Sequence, residues 1–121
     1  MKTEPTIVNL ADVEPEPGGG MARKVMISPS ISGTSCLRVV RVSGENGQGR
    51  PAHTHPGDET LFVMQGNAAL TVNGVEYQLK AEDAAVIPAR VEHSLSITGD
   101  APFIAVTVFC DECEARQRAS F

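Results

Sequence analysis

Two adjacent residues near the middle of the chain, Asn73 and Gly74, restrict its folding more than any other feature. They separate Ala-Leu-Thr-Val from Val-Glu-Tyr-Gln-Leu, two runs whose apolar residues recur at every second position. A two-residue Asn-Gly connection selects a type I′ hairpin, because both central residues must take positive φ and these two do so at least cost. The register follows from the turn. Val72 faces Val75, Leu70 faces Tyr77 and Ala68 faces Leu79, while Glu76, Gln78 and Lys80 turn to water.

The same period of two runs through the rest of the body. Lys24 to Ser28, Cys36 to Ser43, Glu59 onward, Ala84 to Pro88, His93 to Thr98 and Pro102 to Cys110 read as strands, with a further short strand at Thr6 to Leu10. Pro29 to Ser35, Pro88 to Glu92 and Gly99-Asp100 read as turns. No segment holds a 3.6-residue apolar period, and a helix is expected only in the tail from Asp111 onward. Many short strands joined by Gly, Pro and Asp turns at near-regular spacing define an all-β barrel or sandwich.

All three histidines of the chain fall at inward positions of these strands. His53 and His55 stand two apart in an extended segment, so both rings leave the same face. Pro56, Gly57 and Asp58 reverse the chain, and Glu59 opens the next strand with Leu61 and Val63 on its side. His93 shares a face with Leu95 and Ile97. Each histidine alone reads as a hydrogen-bonded core or surface residue. Together with Glu59 they form a nitrogen and oxygen donor set that suits a divalent first-row metal.

Gly47, His53, His55, Glu59 and Gly66 reproduce the spacing G(X)5HXH(X)3,4E(X)6G, and in this the chain resembles the cupins at every defining position of their first motif. The second motif, G(X)5PXG(X)2H(X)3N, is matched at Pro88 and His93, whereas Glu82 and Arg90 stand where it has glycines and Ile97 where it has Asn. Those glycines shape turns, so their replacement bears on turn geometry and leaves the ligand spacing intact. The resemblance, from about Gly47 to Ile97, implies a jelly-roll β-barrel whose metal is held by His53, His55, Glu59 and His93.

A chain of 121 residues buries roughly two thirds of its unfolded surface and makes one domain, with an N-terminal arm and loops at 1–35, a barrel core at 36–110 and a tail at 111–121. A net charge of −5 with no cluster of Lys or Arg argues against nucleic acid as a partner. Nothing approaches a membrane-spanning length, the first twenty residues show no leader pattern, and three cysteines form no framework; a cytoplasmic, reducing setting is expected. Gly18-Gly19-Gly20 lacks the Lys-Ser/Thr pair of a phosphate loop and reads as linker. Cys110-Asp111-Glu112-Cys113 reads as incidental or packing cysteines, with a disulfide, redox pair or intersubunit metal site as the other readings.

Two strands carry apolar residues on both faces: Ile104, Val106 and Val108 against Phe103, Ala105, Thr107 and Phe109, and Phe62 and Met64 opposite Leu61 and Val63. Their outer faces call for cover, either by the N-terminal arm or by a second copy in a C2 homodimer.

Three imidazoles and one carboxylate on a six-coordinate metal leave two positions open for water, dioxygen or a substrate. The cupin resemblance implies dioxygenases, decarboxylases and isomerases as well as members that only bind. The expectation is a small-molecule metalloenzyme of dioxygenase type using one divalent ion (Fe, Mn, Ni, Zn or Cu), the alternatives being a metal-dependent isomerase or decarboxylase, or a non-catalytic module binding a metabolite or metal. The expected pocket lining is Leu61, Val63, Leu95 and whichever of Arg38 and Arg41 points inward, as a candidate partner for a substrate carboxylate.

Overall fold

A computed structural model describes residues 3–16, 20–33 and 36–110. After a 3-10 turn at Leu10–Asp12 the chain forms β1 (Ala22–Ile27), a one-turn helix α1 (Pro29–Ser32), β2 (Arg38–Gly44), β3 (Gly49–His53), β4 (Glu59–Gln65), β5 (Asn67–Val72), β6 (Val75–Lys80), β7 (Ala84–Ile87), β8 (His93–Thr98) and β9 (Phe103–Phe109). The strands form a five-stranded sheet in the order β1-β2-β9-β4-β7 and a four-stranded sheet in the order β3-β8-β5-β6. Every neighbouring pair is antiparallel. This is the all-β, cupin-type jelly roll that the sequence called for.

The inner faces of the sheets supply the core. Val40 and Val42 of β2, Leu61 and Val63 of β4, Leu70 of β5, Ile97 of β8 and Phe103 and Ala105 of β9 are buried in one cluster. In β9 the inward residues are Phe103, Ala105, Thr107 and Phe109, and Ile104, Val106 and Val108 face out. Pairing of β9 with both β2 and β4 places it at the centre of its sheet, which explains why neither of its faces alternates with charge.

The hairpin forms in the expected register, with Val72 opposite Val75, Leu70 opposite Tyr77 and Ala68 opposite Leu79. Asn73 and Gly74 both have positive φ, 49° and 79°. Its apolar face is only partly covered, because β6 is the edge strand; Val75 and Tyr77 are exposed while Leu70 is buried.

Thr6 to Leu10 is not a strand. The Asn9 side chain accepts the Ala11 N–H at 2.8 Å and caps the 3-10 turn, a local bond that competes with strand pairing. This segment instead lies along the outer face of the larger sheet, where Ile7, Val8 and Leu10 border a groove with Met26, Val39 and Val106. The expected cover by the arm is therefore present in part: Val39 and Val106 are half-buried, whereas Phe62, Met64 and Val86 are exposed. Within the expected turn at Pro29 to Ser35, Ser28 caps α1 through its hydroxyl to Ile31 N–H, Pro29 takes the first helical position, and Gly33 ends it at φ 73°.

Among the described residues no helix is long and apolar enough to cross a membrane. Cys36 is in no disulfide, and Cys110 is buried and disulfide-bonded, the reading the sequence ranked below incidental packing. Cys113 and the tail from Asp111 lie outside the described residues, and cysteine usage no longer argues for a reducing compartment.

Candidate metal centre

Four side chains from three strands and one loop meet at one end of the sandwich. His53 closes β3 and pairs directly with His93, which opens β8; Glu59 opens β4 beside Ile87 and Phe109. His55 lies past the end of β3, and its carbonyl accepts the Arg90 N–H at 2.7 Å. Asp58 adds a second tie across the same gap by accepting the Ala89 N–H at 2.8 Å. The turn after β7 thus fixes the loop that carries His55. Arg90 makes that bond with φ at 65°, and Glu82 sits at φ 74°. Both residues replacing motif glycines keep the left-handed backbone, so the turns survive at a steric cost.

The ligand atoms of His53, His55, Glu59 and His93 all lie within 4.8 Å of one another. Bonds of about 2.0–2.2 Å to a common ion place donor pairs about 3–4 Å apart, so the set closes on a metal with little movement. Ring tautomers are set from behind. Nδ1 of His53 faces the Pro51 carbonyl at 2.7 Å and Nδ1 of His93 faces the Val91 carbonyl at 2.9 Å. A carbonyl only accepts, so each Nδ1 donates and leaves the Nε2 lone pair of the neutral ring for the site. Yet Nε2 of His93 stands 2.9 Å from Oε1 of Glu59, and Nε2 of His55 stands 3.4 Å from the same oxygen. A lone pair against a carboxylate oxygen is repulsive unless a cation, proton or metal, lies between them. The donor set therefore fits a divalent ion.

Two neighbours hold the ligands in place. The Thr107 hydroxyl donates to Oε2 of Glu59, leaving Oε1 for the centre. Phe109 stacks on His55 with ring centroids 4.6 Å apart. Burial lowers the His53 pKa below its ordinary value; the neighbouring His93, His55 and Arg50 push the same way, against the Pro51 carbonyl. This favours the neutral ring, the form in which an imidazole can hold a metal.

The centre opens into a cavity of about 50 Å³. Leu61 and Leu95 line it as expected. Val63 does not: it is fully buried in the core one residue pair deeper. Neither Arg38 nor Arg41 borders this cavity, since Arg41 faces the outer groove beside Ile7 and Arg38 starts β2 opposite Phe109. Its arginines are Arg50 and Arg23. Strict alternation would put Arg50 on the face opposite His53, three residues on. A register shift in β3 between them turns both inward, and no sequence signal marks that bulge beyond Pro51. Thr107 and Phe109 also line the site, and either face of β9 was apolar enough to be chosen.

With the fold and site in view, comparison with known proteins gives the class. The sequence pattern of the cupin domain family matches residues 40–109, and the chain belongs to that family. Among curated proteins it is 25% identical over 104 residues to a polyketide synthase protein, CurC, of Streptomyces cyaneus, covering 82% of this chain and 65% of that one. The chain thus spans just under two thirds of that relative's length. Among solved structures, an RmlC-like cupin from Shewanella frigidimarina superposes with a TM-score of 0.74 at 22% identity, covering 96% of this chain and 99% of that one. A predicted oxalate decarboxylase from Thermotoga maritima gives 0.76 at 20% identity, with 86% and 97% covered. At such identities these two structures speak for the fold alone.

Proposed function

We propose that this cupin is a metalloenzyme acting on a small molecule, with one divalent transition ion held by His53, His55, Glu59 and His93. The observation that carries the reading is the approach of His93 Nε2 to the Glu59 carboxylate in a ring whose other nitrogen already donates to a carbonyl. Bound there, an ion of Fe, Mn, Ni, Zn or Cu would supply Lewis-acid chemistry and, for a redox-active metal, electron transfer. The protein's part is positional: Thr107 fixes Glu59, the Pro51 and Val91 carbonyls fix the rings, and Leu61, Leu95 and Phe109 keep water sparse.

Apart from the ligands, the ionisable groups lining the cavity are Arg23 and Arg50, and neither serves as a general base at neutral pH. Chemistry there must centre on the metal, which favours dioxygenase-type oxidation over proton shuttling between side chains. Decarboxylation, isomerisation and simple binding are the competing outcomes. Metal-by-metal loading followed by dioxygen uptake and product analysis against a metabolite panel tests this. Dioxygen uptake that needs both metal and substrate supports the reading; saturable binding without turnover under every metal assigns a binding module.

Assembly is part of the same proposal. The exposed Phe62, Met64 and Val86 continue the partly covered outer face of the larger sheet and suit the interface of a C2 homodimer.

A further inference from the structure

Thr107 differs in kind from the residues around it. The other inward residues of β9 are Phe103, Ala105 and Phe109, and the partners of Thr107 on the flanking strands are Val40 and Leu61, both buried. Valine has nearly the same shape and would fill this position without the cost of burying a hydroxyl. The Thr107 hydroxyl offsets that cost by donating to Oε2 of Glu59, a charged acceptor that is itself buried.

This bond makes the two oxygens of Glu59 unequal. Oε1 faces the imidazoles, 2.9 Å from Nε2 of His93 and 3.4 Å from Nε2 of His55, whereas Oε2 is held by Thr107. A carboxylate can hold a cation through one oxygen or through both. To recruit Oε2, an ion would have to break a charge-assisted bond and strand a buried hydroxyl between Val40 and Leu61. The hydroxyl cannot readily follow the oxygen, because Thr107 is β-branched, stiff at χ1 and set in the central strand of the larger sheet.

Resting on the metal-centre reading above, we propose that Thr107 is a positioning residue that confines Glu59 to one donor oxygen and so sets how many positions on the ion stay open. With His53, His55, His93 and Oε1 as donors, a six-coordinate ion keeps about two positions free; with Oε2 added it keeps about one. A single free position takes a ligand bound through one atom. Two take a chelating substrate, or a substrate and dioxygen together. Thr107 acts through Glu59 and not on the reacting atoms.

The test uses the full chain loaded with manganese(II), with metal content measured in every sample, and counts the exchangeable waters on the ion from the deuterium modulation of its electron spin echo in D2O. Wild type should show about two waters, Thr107→Val about one, and Thr107→Ser, which keeps the hydroxyl, about two. A side chain that only packed would leave the count unchanged in Thr107→Val. The infrared difference between metal-free and loaded protein gives a second readout. Carboxylate stretches should be widely separated in wild type, as single-oxygen binding requires, and closer together in Thr107→Val. Equal water counts in Thr107→Val and wild type overturn the proposal, as does a narrow separation in wild type. If Thr107→Val does not fold, the wild-type infrared separation decides: wide supports the proposal and narrow overturns it. A wild type that takes up no manganese defeats the metal centre itself and the proposal with it, a result that the metal measurement tells apart from all of these.

Discussion

Glu82 and Arg90 are where this chain departs from the cupin motif, and they show how local geometry outlives the residue that usually serves it. Both hold a left-handed backbone that glycine adopts freely and other residues enter at roughly 1–2 kcal/mol. The Glu82 N–H donates to the Val63 carbonyl at 2.8 Å, so its turn is locked into the core strand. Replacing Glu82 by Gly should stabilise the fold by about 0.5–1 kcal/mol, part of the relief being offset by the freer unfolded chain. Urea denaturation measures this, and a loss of stability would show that the Glu82 side chain contributes more than its backbone costs. His53 carries a second prediction. Its pKa is lowered in the fold by burial. In the unfolded chain it titrates near about 6.5, so below that pH the unfolded state binds more protons and folding weakens as pH falls. In metal-free protein the His53→Gln variant should therefore lose less stability than wild type between about pH 7.5 and 5.5. A wild type that is the more acid-tolerant of the two would reverse the sign and contradict the burial argument.

Among the elements, those governed by local chemistry were legible. The β5–β6 hairpin followed residue for residue from Asn73-Gly74, and Gly74→Ala should cost about 1 kcal/mol or more because alanine at φ 79° is strained; an unchanged denaturation midpoint would deny the turn its role. The convergence of the four candidate donors was legible for the same reason: parity within a strand and the reversal at Pro56-Gly57-Asp58 bring His53, His55 and Glu59 together, and His93 opens its own strand. What escaped depends on partners distant in sequence. The bulge in β3 that turns Arg50 inward is a mismatch against β8, and Pro51 is its one mark in β3 itself. The inward face of β9, and with it Thr107 and Phe109, is chosen by β2 and β4 on either side. Thr6 to Leu10 alternated like a strand, but its end is drawn into a capped turn in which the Asn9 and Leu10 carbonyls accept from Asp12 and Val13.

For the whole molecule, the larger sheet has one face in the core and the other only partly covered by the segment around Ile7, Val8 and Leu10. Phe62 and Met64 remain 44% and 54% exposed, which is costly for a strand that could have carried polar residues there. Sedimentation should find a dimer at micromolar concentration, and Met64→Glu should shift it to monomer without unfolding it; a monomeric wild type would leave the N-terminal segment as the only cover. The central claim, though, is that the fold exists to converge His53, His55, Glu59 and His93 on one ion. Its most direct test is the metal content of purified protein after loading and exhaustive desalting. The account predicts about one divalent ion per chain in wild type and a small fraction of that in the His53→Ala/His55→Ala double variant, provided the variant remains folded by circular dichroism. Full occupancy in that folded double variant, or none in the wild type with any first-row ion, would contradict it.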